Sequence, residues 1–161
     1  MMITVQGKTC DYPSGTTFYE IAMQHQAEIP HEILLVKLDT KLYELHKRIP
    51  ERGGEISFIT GADKEGHMAY QRSAIFMMLK AFYHLCADVQ DFGVVVDYTL
   101  GGGFYCYLNG GVEVTEVLLA EVKKTMEGYR DQKIPIMKKS VQTDEAIQMF
   151  HEVGMTSKER L

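Results

Sequence analysis

Residue types able to do chemistry gather in one stretch of this chain, Val94 to Leu108. Gly101, Gly102 and Gly103 are consecutive, and glycine tolerates positive φ and close backbone approach. They either turn one strand into the next or form a floor whose backbone amides meet a ligand. Asp97 lies mid-strand beside Tyr98, where a carboxylate anchors a ligand amine or is satisfied structurally. Tyr105 and Tyr107 are two apart, so on a strand they share a face. Rings so placed stack on a base or nucleoside, or pack against the protein. Arg72 and Ser73 belong to a helix expected to cover this stretch. Together with Gly101 to Tyr105 they would line a ligand pocket.

Other chemistries find no support in the spacing. The six histidines, His25, His31, His46, His67, His84 and His151, share no metal-ligand pattern,. Cys10, Cys86 and Cys106 are far apart with no Cys-x-x-Cys, which argues against a disulfide framework or zinc knuckle,. No Ser/His/Asp or Cys/His set can be assembled, and no Gly-x-x-x-x-Gly-Lys-Ser/Thr phosphate cradle is present. The sequence therefore names no catalytic residue, no metal ligand and no cofactor. Lys158, near the end, either reaches a phosphate or is an exposed tail lysine.

Composition narrows the setting. The chain has 161 residues, 45% hydrophobic and 24% charged, with net charge −5, so nothing draws it as a whole toward nucleic acid or anionic lipid,. Lys123-Lys124 and Lys138-Lys139 are the basic pairs, either local contacts or solvated faces. No apolar run is long enough to span a bilayer, and the first residues do not read as a secretory leader. The ten methionines read as packing,. A reducing, cytoplasmic setting without membrane partners is expected.

Two groups of elements must position these residues. Met2 to Gln6 alternates, Gly7-Lys8 turns, and Thr9 to Tyr12 returns, closed by Pro13. Thr17 and Glu20 have the spacing of a capping box before a helix carrying Phe18, Ile21 and Ala22. Ile33 to Leu38, Leu42 to Leu45 and Glu55 to Thr60 read as further strands, with Ile56 and Phe58 inward. Polar, glycine-flanked residues 61–66 mark a domain boundary. A helix from about Met68 to His84 carries the stripe Ile75, Met78, Leu79, Phe82. The Val94 to Leu108 hairpin follows, then a helix over Thr115 to Tyr129 with Leu118, Val122, Met126 and Tyr129 inward and Leu119 widening the stripe. Ile134 to Val141 is expected as a third strand. A last helix, capped by Thr143 and turning Ala146, Phe150 and Val153 inward, stops at Gly154.

The first sixty residues resemble the TGS domain, a ubiquitin-like β-grasp module. Ile3-Thr4-Val5, the Gly7 turn, Tyr12-Pro13-Ser14-Gly15-Thr16-Thr17 before a helix, Ile33 to Leu38, and Gly54 to Thr60 carry the resemblance. The remainder is similar to the editing domain of threonyl-tRNA synthetase, through Gly103-Phe104-Tyr105, Ile136 to Val141 and the Glu145-Ala146 helix. The resemblance implies an α+β chain: a β-grasp domain over 1–61, then an antiparallel sheet with helices over 66–161, incomplete at its end. That family's His-x-x-x-His pair falls on Arg72 and Phe76. A guanidinium stays protonated and a phenyl ring has no lone pair, so neither binds metal or shuttles a proton.

The same pair of modules precedes the catalytic domain in a group of bacterial uridine (nucleoside) kinases. Tyr70-Gln71-Arg72-Ser73, Gly103 to Cys106 and Gly154 to Leu161 look like that group's. This resemblance implies a non-catalytic region binding RNA or a nucleoside-type ligand, or regulating a kinase domain attached in cis. ATP and Mg would serve only that attached domain. The alternative it leaves is a tRNA-binding module or editing-like hydrolase related to threonyl-tRNA synthetase.

Overall fold

The computed structural model describes residues 1–155. Lys158 and the Thr156 to Leu161 tail lie outside the described residues. The fold is α+β, and the chain divides into two compact units, Met1–Ala74 and Ile75–Leu161.

In the first unit, β1 (Met2–Val5) and β2 (Lys8–Asp11) form a hairpin. The strand β3 (Ile33–Leu38) pairs with β4 (Lys41–Glu44), and β5 (Gly54–Thr60) enters between β1 and β3. The order β2-β1-β5-β3-β4, with β1 and β5 parallel and the remaining neighbours antiparallel, is β-grasp-like. One face of this sheet takes the helix α1 (Phe18–His25). Phe18 and Ile21 are fully buried against Ile3, Val5, Val36, Leu38, Ile49 and Ile56. Full burial of such a side chain contributes about 1.5–3 kcal/mol. The helix starts where the sequence indicates. The Thr17 hydroxyl accepts from the Glu20 amide at 3.3 Å, and the Glu20 carboxylate accepts from the Thr17 amide at 2.6 Å. The Thr17 amide, together with the Thr17 hydroxyl donating to the same carboxylate oxygen at 2.8 Å, holds the Glu20 carboxyl below its usual range,.

The long helix α2 (Lys64–Leu85) begins one turn before Met68, where the sequence places its start. Its start is fixed by hydrogen bonding rather than by periodicity. Asp63 Oδ2 accepts from the Thr60 amide at 2.7 Å and the Thr60 hydroxyl at 2.9 Å. Gly66 then passes so close to Thr60 that a Cβ there would lie 1.9 Å from the Thr60 carbonyl oxygen.

The second unit contains the C-terminal half of α2, the hairpin β6 (Gly93–Leu100) and β7 (Gly103–Asn109), α3 (Glu116–Asp131) and α4 (Thr143–Glu152). Ala81 and Phe82 of α2 and Val122 of α3 form its core, with Met78, Phe92, Val94, Leu108, Leu118, Met126 and Tyr129 packed around them. The Lys80 ammonium lies 5.5 Å from the Tyr129 ring centre, tying α2 to α3,.

Four expectations fail in this unit. Residues 134–141 form no strand: β6 and β7 pair only with each other among the described residues, and an extended segment without a ladder partner is not a strand,. Met137 is 82% exposed there. Leu119 is exposed rather than part of the α3 stripe. Thr143 is the first helical residue of α4, and Gln142 occupies the cap without a side-chain bond. Val153, at the C-cap, is exposed, whereas Ala146 and Phe150 are half-buried. Gly154 does end the helix. At φ +71° its amide donates to His151, and the Met155 amide donates to Phe150, the paired bonds of a Schellman motif,.

Candidate functional site

The hairpin is built from its turn outward. Leu100 pairs with Gly103, leaving Gly101 and Gly102 as a two-residue loop with φ +57° and +87°. Positive φ at both central residues is what a type I′ turn requires. A Cβ at Gly101 or Gly102 would meet nothing within 4 Å, so conformation, not crowding, explains glycine at both. Gly103 is the first residue of β7.

A β-bulge then sets the side chains. Val96 pairs with Cys106 and Thr99 with Phe104, so Asp97 and Tyr98 together oppose Tyr105,. Val94 and Leu108 face the α2–α3 core. On the outward face, Tyr98 stacks on Tyr105 with centroids 5.0 Å apart and planes 17° apart, and Tyr107 follows at 6.4 Å. Tyr98, Tyr105 and Tyr107 remain 51%, 46% and 41% exposed. The result is a row of three rings held on a strand pair, with the exposed Asp97 carboxylate beside it.

The hairpin thus brings together Asp97, Gly101, Gly102, Gly103 and Tyr105, all in the second unit. Arg72 and Ser73 fall in the first unit, on the exposed surface of α2. The Ser73 hydroxyl donates to the Ala69 carbonyl one turn back at 3.0 Å,. Arg72 and Phe76, four apart, are both exposed. Tyr98 is the contributor that alternation misses. In a regular ladder it would sit opposite Phe104, on the inner side.

The first unit holds a separate open cavity of about 320 Å³, lined by His31, Glu32, Leu34, Gly61, His67 and Tyr70. Asp63, two residues after the lining Gly61, lies within the field of His31. The two Thr60 bonds hold its carboxyl below the ordinary aspartate range, and the His31 charge adds to this,. No local spacing could announce this grouping, because the pairing of β3 with β5 brings residues 31–34 beside residues 61–70. Among the described residues, no group of three or more His, Cys, Asp or Glu side chains could hold a metal ion. No described helix is long and apolar enough to cross a membrane.

With this geometry in hand, the chain can be set beside known proteins. No protein-family model matches it. The likeness is to threonine–tRNA ligases. The chain is 28% identical over 153 residues to that of Oceanobacillus iheyensis, covering 95% of this chain and 23% of the relative. It is 29% identical over 148 residues to that of Bacillus velezensis, covering 92% and 22%. Threonine–tRNA ligase 1 of Bacillus subtilis is 28% identical over 148 residues, with the same coverage. The similarity runs through both units, while the chain spans less than a quarter of these relatives' length. All three are ligases and none is a nucleoside kinase.

Proposed function

We propose that this region is a non-catalytic tRNA-engaging part of a larger protein, with the tyrosine row of β6–β7 receiving unpaired bases. The exposed, stacked Tyr98–Tyr105 pair on a rigid hairpin carries this reading, because bases stack on such rings whatever their identity,. Similarity to threonine–tRNA ligases across nearly the whole chain supports tRNA as the nucleic acid. Arg72 and Phe76, standing where the editing family has histidines, speak against hydrolysis by that family's route. No cofactor is assigned to these residues. The relatives' greater length supports a further domain in cis. A uridine-kinase parent, suggested by Tyr70 to Ser73 and the Gly154 to Leu161 ending, stands second to the tRNA-related reading, which the ligase relatives favour.

The test is fluorescence anisotropy with a labelled threonine tRNA transcript. Tyr98→Ala and Tyr105→Ala should each weaken binding by about 1–3 kcal/mol, while Tyr70→Ala, a control in the other unit, leaves it unchanged. Absence of binding by the unaltered chain, or equal binding by all three variants, defeats the proposal.

A further inference from the structure

The two sheets treat their edges differently. In the first, the outer strands β2 and β4 have four residues each and carry Lys8 and Asp11, or Lys41 and Glu44, at their ends. Short, charged edges resist pairing with another chain. In the hairpin, β6 is interrupted by the bulge and by Asp97. The other edge, β7, has no such protection. Its seven residues, Gly-Phe-Tyr-Cys-Tyr-Leu-Asn, contain no charge and no proline.

The far side of β7 meets no strand among the described residues. Its only strand neighbour among the described residues is β6, so alternate residues direct their amide and carbonyl groups away from the ladder,. No backbone bond outside the hairpin reaches residues 103–109 among the described residues. The one side-chain hydrogen bond of β7 among the described residues is local, from the Cys106 thiol to the Phe104 carbonyl at 3.8 Å.

The order of side chains indicates what fits this edge. Phe104-Tyr105-Cys106-Tyr107-Leu108 reads alike in both directions: large apolar, tyrosine, cysteine, tyrosine, large apolar. Two such strands laid antiparallel about Cys106 set Tyr105 opposite the partner's Tyr107 and Phe104 opposite the partner's Leu108. Aromatic cross-strand pairs stabilise a sheet, and no like charges meet. A second copy of this chain supplies that matching order by construction. We propose that β7 is a self-association edge. Two copies join their β7 strands antiparallel about Cys106, giving a four-stranded sheet in which the tyrosine row continues from one copy into the next. This stands independently of the tRNA reading.

The experiment is sedimentation velocity on the 161-residue chain over a dilution series through the micromolar range. The unaltered chain should dimerise reversibly, and Cys106→Val should keep the dimer. Cys106→Lys and Cys106→Glu should each lose it, because like charges then face each other at the two-fold axis. Mixing the Lys and Glu variants in equal amounts should restore it. A monomer throughout the series, a dimer that persists in either charged variant, or a mixture that stays monomeric overturns the proposal. Should circular dichroism show a charged variant unfolded, amide exchange on the unaltered chain decides. Slower exchange in Phe104 to Leu108 at higher concentration supports the edge, and concentration-independent exchange overturns it.

Discussion

The two units solve the same packing problem with different success. Among the described residues, the first buries ten hydrophobic side chains and the second buries four, Ala81, Phe82, Cys86 and Val122. A five-stranded sheet offers a broad face, and α1 laid across it closes a core from which Phe18 and Ile21 are wholly withdrawn from water. A two-stranded hairpin offers a narrow face. Its helices enclose a small core and leave Val117 at 74% and Met137 at 82% exposure. The wider sheet goes with the larger sealed core.

The contrast can be broken by cutting each core. Phe18→Ala should destabilise the first unit by about 3–5 kcal/mol, since a rigid, closed site collapses poorly onto a cavity. Phe82→Ala in the second unit should cost less, about 2–3 kcal/mol, because a partly open core relaxes more easily. Urea titration followed by amide exchange in each unit would measure both, and equal losses would erase the distinction. Gly66→Ala should cost about 2–3 kcal/mol through overpacking against the Thr60 carbonyl, as read in a thermal melt. That loss should appear in exchange of β5 and the first turn of α2.

Smaller effects sharpen the same comparison. Thr17→Ala removes a reciprocal cap and should cost about 1 kcal/mol in denaturant titration, whereas Thr115→Ala removes only the one bond to the Leu118 amide and should cost roughly half that,. The units should also differ in how they respond to pH. Glu20 and Asp63 are held below their ordinary values of 4.5 and 3.8. Their contribution to the first unit is complete above those values and is lost as pH falls through the lower folded ones. Burial raises the Cys86 thiol above 9.0, so its contribution to the second unit is complete below pH 9.0 and is lost as pH rises through the folded value,. Burial likewise raises Tyr12 above 10.0, so alkaline loss in the first unit begins later. Unit-resolved exchange between pH 9 and 10 should therefore show the second unit loosening alone.

Much of the first unit is legible before any coordinates, because its signals are local. Alternation in Met2 to Val5, the Thr17–Glu20 box and the turns at Gly7 and Asp39 each describe a few neighbouring residues. The start of α2 is harder to read, since Asp63 acts through Thr60 and not through periodicity. In the second unit, Ile134 to Val141 has the composition of a strand and no strand to join. A ladder needs two chains, and one sequence window describes only one of them. The tyrosine row was half legible for the same reason: Tyr105 and Tyr107 follow from alternation, but Tyr98 joins them through a register shift fixed by the opposite strand. His31 and His67 meet only through the fold.

That register shift has a consequence for how the hairpin tolerates a change in length. Losing Asp97 would restore even pairing and leave all three phenols on one side, because Tyr98 would then oppose Tyr105 directly. Losing Thr99 would also restore even pairing, yet would rotate Tyr98 inward opposite Phe104 and dismantle the row. Two shortenings of equal size, two positions apart, therefore have opposite outcomes: what the strand counts is parity, not length.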